Sequence, residues 1–191
     1  MLSSITPLGQ RGRGMSWRRM VVAFWLGAVT AGMALFGSVG LVGGWLGLDR
    51  LNPWLLLAVV VAAGLLDLTS VRPPGPQRQV DENWLSTYRD WVVGLGYGAQ
   101  LGTGFVTVVP TFGTWALLVV SASVGLPLAA AIGVAFGVGR SLLLIGTRKV
   151  RSPAALAESM RKFAAAETRG RQLAYGGYGM VLIVVVTSVL A

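Results

Sequence analysis

Apolar residues gather along the chain into five long runs, at 20–42, 53–69, 91–120, 127–147 and 173–190. An α-helix needs about 17–25 residues to cross a bilayer, so each run is long enough to span. The first run follows Arg18-Arg19 and exceeds the apolar core of a signal peptide, so it is expected to be a retained span. Between the runs the pattern changes. "VRPPGPQ" at 71–77 cannot be helical, because its prolines lack the N–H and clash with the preceding turn. In "VDENWLSTYRDW", Val80 to Trp91, the residues Trp84, Leu85, Tyr88 and Trp91 recur at helical spacing behind Asp81 as N-cap. This predicts a short interfacial helix leading into the third run. "SPAALAESMRKFAAAETRGRQ" opens with Ser152 as N-cap and Pro153 at the first helical position. Leu156, Met160 and Phe163 form one stripe there, which predicts a second amphipathic helix. The pattern as a whole predicts an all-α integral membrane protein of about five transmembrane helices. Residues 1–16 are expected to be a mobile tail and 17–191 a single transmembrane domain.

A weak internal repeat runs through the first four spans. "FGSVG" at 36–40 is matched by "FGTWA" at 112–116, Pro53 by Pro127, and Asp67 by Arg140, with offsets of 76, 74 and 73. Two spans separate the copies, so the halves would be parallel, as 2+2 helices plus one. The repeat puts the two membrane charges at one depth. A lone charge in lipid is costly and seeks a partner, so Asp67 and Arg140 are a candidate intramembrane ion pair. The alternative is that each snorkels toward the nearer interface.

The third run carries the most polar pattern. Gln100, Thr103, Thr107, Thr111 and Thr114 are spaced three, four, four and three apart, which is one face of a continuous helix. Gly94, Gly98 and Gly102 form a second series at intervals of four, the spacing of close helix packing. Pro110 lacks an N–H and clashes with the turn before it, so a kink or break is expected at Val109-Pro110. Either the hydroxyl face lines a wet cavity, or the hydroxyls bond their own helix and its neighbours, at about 1 kcal/mol apiece.

Composition narrows the chemistry. Of 191 residues, 54% are hydrophobic and 12% charged, about half the usual charged share of a soluble domain. There is no Cys and no His, and only seven Asp and Glu. Disulfides, thiolate metal sites and His-based acid–base catalysis are therefore absent, and no enzymatic activity, metal or cofactor is expected. The net charge of +9 is distributed by topology. On the five-span map, Arg11, Arg13, Arg18, Arg19, Arg72, Arg78, Arg89, Arg148, Lys149, Arg151, Arg161, Lys162, Arg169 and Arg171 share one side, which is 14 of 16 basic residues. The positive-inside rule makes that side cytoplasmic, with the C-terminus outside. The partner this charge implies is the anionic inner leaflet of a plasma membrane rather than nucleic acid.

The stretch "GYGAQLGTGFVTVVPTFGTWALL", followed by "AAAIGVAFGVGRSLLLI", resembles half of a small polytopic membrane protein of the CcdA/DsbD group. The resemblance covers residues 94–146. It implies a Gly-rich helix broken at Pro110, and a later helix carrying a G-x-G pair at Gly137 and Gly139. The redox cysteines of that group have no counterpart here, so the resemblance implies a scaffold or conduit without dithiol exchange. The expected function is a transporter, or a subunit of a membrane transport complex, with a Gln/Thr-lined polar face. The other reading is a structural or assembly subunit with no solute pathway. Five short spans enclose little volume, so a homo-oligomer or further membrane subunits are expected.

Overall fold

The fold is that of a computed structural model, which describes residues 6–11, 14, 16–69, 71–76, 83–106, 109 and 111–162. All regular structure among them is helical. The elements are α1 (Pro7–Arg11), α2 (Trp17–Trp45), α3 (Pro53–Asp67), α4 (Trp84–Thr87), α5 (Asp90–Thr103), α6 (Gly113–Ser123) and α7 (Gly125–Gly146), followed by α8 over residues 153–162. Two stretches, Trp17–Trp45 and Gly125–Lys149, are long and apolar enough to cross a membrane. The expected span at 173–190, the Asp81 cap, Phe163, Thr107 and Pro110 lie outside the described residues.

Local chemistry sets the boundaries. Asn52 accepts the Trp54 N–H at 2.9 Å through Oδ1, and Pro53 supplies a preset φ, so α3 starts where its residues dictate. Ser152 Oγ accepts the Ala155 N–H at 3.2 Å and caps α8. The linker helix expected over Val80–Trp91 is shorter than its apolar spacing suggested. α4 stops at Thr87, Tyr88 turns extended, and Trp91 belongs to α5. Within the segment expected as a mobile tail, α1 packs back onto the fold. The Leu8 N–H donates to the Val150 carbonyl at 3.2 Å, and Thr6 and Gln10 are fully buried.

α2 is the axis of the fold, and glycine fixes its neighbours. Along α5, a Cβ added to Gly94, Gly98 or Gly102 would run into the carbonyl oxygen of Met20, Phe24 or Ala28. The partners advance by four on both helices, so α5 runs parallel to α2 with the backbones almost touching. Gly27 returns the contact against Leu95. On another face of α2, Gly32 meets Gly133, Ala28 meets Gly137, and Gly40 meets Ala129. Here one number rises as the other falls, so α7 is antiparallel. Further along α2, Gly43 abuts Ala122 of α6. Thus α5 accompanies the first half of α2 and α6 the second half. At the basic end Met20, Phe24, Ala28, Leu85, Val93, Tyr97 and Leu144 close a buried cluster, with Trp84 packed on it.

α3 stands apart from this core. It packs on α6 through Val60, Ala63 and Ala116. Its outer surface is bare: Trp54, Leu55 and Leu65 are more than half exposed. The two proline-started helices are therefore not equivalent. α7 has 22 residues and lies along α2, whereas α3 has 15 and, among the described residues, packs chiefly on α6. "FGSVG" sits inside α2, while "FGTWA" is the beginning of α6, so the sequence repeat does not correspond to a repeated structure.

Candidate functional site

The third apolar run is two helices. α5 ends at Thr103 because Gly104 adopts φ +72°, a left-handed conformation that costs glycine least, with its N–H bonded to the Leu101 carbonyl at 3.1 Å. The chain re-enters helix at Gly113. The last glycine contact before the gap is Gly102 against Ala28, so the interruption falls near the middle of α2. A break was expected at Val109-Pro110; α5 already ends six residues before that proline, at a glycine that composition alone does not distinguish from its many neighbours.

An interrupted helix exposes carbonyls at one end and N–H groups at the other. The N–H end is met by Asp67. Its Oδ1 accepts the Phe112 N–H at 2.7 Å, across 45 residues of sequence. Asp67 is the last residue of α3, where the helix dipole disfavours negative charge. The start of α6 favours it, so this carboxylate is placed for its neighbour rather than for its own helix. The turn continues inward, with the Thr114 N–H donating to the Thr111 carbonyl at 3.3 Å and the Ala116 N–H to the Phe112 carbonyl at 3.0 Å.

Three further contacts pin the gap. The loop after α3 returns to it, and Trp115 Nε1 donates to the Pro74 carbonyl at 3.0 Å. Trp115 also packs edge-on against Phe105, with ring centroids 4.9 Å apart. From the opposite side, the Phe136 ring lies close enough to Gly104 that a Cβ there would come within 2.8 Å of it. Phe136 in turn packs on Phe36 at 5.2 Å.

The sequence-predicted residues are distributed around this gap in a different arrangement from the one expected. The five polar residues do not make one helix face, because the helix stops within the series. Gln100 and Thr103 end α5, Thr111 lies in the turn, and Thr114 is in the first turn of α6. Thr103 Oγ1 donates to the Gln100 carbonyl at 2.9 Å, satisfying its own helix end. Thr114 is buried, with its methyl group facing Gly104. Asp67 and Arg140 form no ion pair. The carboxylate is directed to the α6 N-terminus, while the Arg140 guanidinium lies 5.2 Å above the Phe136 ring. Its Nη2 is buried without a hydrogen-bond partner among the described residues. The pairing fails because α3 packs on α6 and not along α7. Gly104, Phe112, Trp115 and Phe136 were not singled out from sequence. Only Gly104 carried a signal, as a glycine one place beyond a threonine in the "GTGF" run.

No family model and no solved structure matches the chain. Two curated relatives do. Methylamine utilization protein MauF of Paracoccus denitrificans is 34% identical over 123 residues, covering 57% of this chain and 43% of that protein. Methylamine utilization protein MauF of Paracoccus versutus is 31% identical over 117 residues, covering 58% of this chain and again 43% of that protein. The chain thus spans less than half the length of the curated relatives it matches.

Proposed function

We propose that this chain is a multi-pass membrane protein that passes a small polar solute at the α5–α6 interruption, acting as a transporter or a subunit of a transport complex. The observation that carries the reading is the Asp67 carboxylate on the α6 N-terminus, beside a helix that stops near the middle of α2. Non-helical backbone at membrane depth is tolerated only where protein buries it or where it lines a water-filled cavity. Paired half-helix ends are how secondary transporters build such sites. Bare apolar surface on α2, α3 and α7 supports a lipid environment, as do Val22 and Leu26 on α2, Leu55 on α3 and Leu128 on α7. Clustering of basic residues at the α2 N-terminal end supports a cytoplasmic N-terminus. The similarity to the two methylamine utilization proteins supports a role for this transport step in that same utilization.

The test exploits a chain with no cysteine of its own. Single cysteines at Gln100, Thr103 and Thr111, each partly exposed, are expected to react with a membrane-impermeant thiol reagent in intact membranes. Cysteines at the lipid-facing Leu95 and Val119 are expected to stay silent, since a thiolate needs water. Silence at all three gap positions would overturn the conduit.

The bare outer face of α3 supports a second reading, a structural or assembly subunit docked to other membrane proteins through that helix. Purification in mild detergent separates the two. A homo-oligomer favours the conduit, and stoichiometric unrelated subunits with a silent gap favour assembly.

A further inference from the structure

At the basic end of the fold, three distant parts of the chain enclose an open pocket of about 740 Å³. α1 contributes Arg11, the start of α2 contributes Arg18, and the turn between α7 and α8 contributes Arg148, Lys149 and Arg151. The walls are fixed by the Leu8 N–H to Val150 carbonyl bond, and by the buried Thr147 and Val150 beneath it. Among the described residues no carboxylate lines the pocket. Asp90 does not line the pocket; it accepts the Ser16 N–H at 3.1 Å and pairs with Arg19 at 3.3 Å. Five like charges therefore face one cavity without an internal counterion.

One buried donor there lacks an acceptor among the described residues. Ser16 and Trp17 line the pocket at the start of the 29-residue α2, whose N-terminal N–H groups carry the positive end of the helix dipole. Ser16 makes no side-chain cap. Trp17 keeps its indole N–H buried without a hydrogen-bond partner among the described residues. A buried donor beside a helix N-terminus and five cations is complementary to a multidentate oxyanion.

The geometry points to a specific phosphate site here, filled by the headgroup of an anionic phospholipid. The source is indicated by a second, shallower pocket of about 400 Å³ that shares Arg148 and Lys149 with the first. It continues past Gly146 to Leu142, whose side chain is half exposed on α7. A headgroup can sit among the arginines while its acyl chain follows that apolar face. Free phosphate would use the upper pocket alone. The site is independent of the α5–α6 gap, so failure of the conduit leaves it standing.

The experiment uses the full chain in mild detergent, titrated with phosphatidylglycerol or phosphatidylcholine and read by native mass spectrometry. Retention of one phosphatidylglycerol, with phosphatidylcholine not retained, is expected. Each basic residue near an anionic surface contributes about fivefold, so Arg148→Gln with Arg151→Gln should weaken that retention about 25-fold. Arg50→Gln, at the other end of α2, should leave it unchanged. Trp17→Phe keeps an aromatic six-membered ring and removes the indole N–H together with its five-membered ring. It should weaken retention several-fold without loss of folding, which covers the case in which the double variant does not fold. Inorganic phosphate, titrated separately, should compete only weakly. Tight, saturable phosphate binding without lipid preference would keep the site and replace its source. Equal phosphatidylglycerol retention by the native chain, the double variant and Trp17→Phe would overturn it, leaving only diffuse attraction to the membrane surface.

Discussion

The α2–α5–α7 core and the α3–α6 pair are built on opposite principles. In the core, glycines on one helix meet backbone carbonyls on the next, as Gly98 meets Phe24 and Gly137 meets Ala28. At these two contacts the nearest atoms are backbone, so nothing can adjust there by changing rotamer. In the α3–α6 pair, among the described residues, the contact is made by Val60, Ala63 and Ala116, with a hydrogen bond from the Phe112 N–H to Asp67. Small apolar side chains and the charge-assisted Asp67 bond define this position, and side chains, unlike backbone, can change rotamer. Backbone-to-backbone packing makes a frame, and side-chain packing around a carboxylate makes a part that can move against it. In this protein the interruption lies where the two meet.

That contrast can be broken by mutation, most severely in the frame. Gly98→Leu forces a side chain into the Phe24 carbonyl and should cost about 3 kcal/mol or more, at or beyond the upper end of ordinary overpacking. Leu95→Ala, one turn away but half exposed, should cost well under about 1 kcal/mol. Equal melting of the two in detergent would remove the distinction between frame and movable part. Asp67→Ala should cost about 1–2 kcal/mol, the usual loss of a helix cap. Hydrogen exchange should then rise in the first turn of α6 and stay unchanged in α5; a rise in both would mean the two helices open together. The smallest effect sharpens the assignment of charges. A double-mutant cycle of Asp67→Asn with Arg140→Gln should show coupling below about 0.5 kcal/mol, because the two share no contact. Stronger coupling would restore the ion pair and bring α3 against α7.

The sequence announced the frame better than the movable part, for a physical reason. Spacing of four in Gly94, Gly98 and Gly102 is a local pattern, and local patterns survive without knowledge of the partner. The apolar runs, the Asn52-Pro53 start and the Ser152-Pro153 start are likewise written in neighbouring residues. Asp67 is different. Its partner is a backbone N–H, and backbone groups carry no residue identity, so reading charges alone selected Arg140 instead. The polar face failed for a related reason. Its spacing was counted through Gly104 as if the helix continued, and only tertiary packing against Phe136 and Thr114 determines which glycine of many ends it. The docking of α1 was hidden as well, since a five-residue helix with one basic residue resembles any tail until Val150 is found beside it.

That last contact has a consequence in time. Leu8 is made long before Val150, whose carbonyl satisfies its N–H. At the usual 5–20 residues per second, the amide waits on the order of ten seconds for its partner to be synthesised. Until then α2 carries grooves at Gly27, Gly32 and Gly40 that its own sequence cannot fill. The docking of α1 on Val150 therefore comes only after α5 and α7 have both been made.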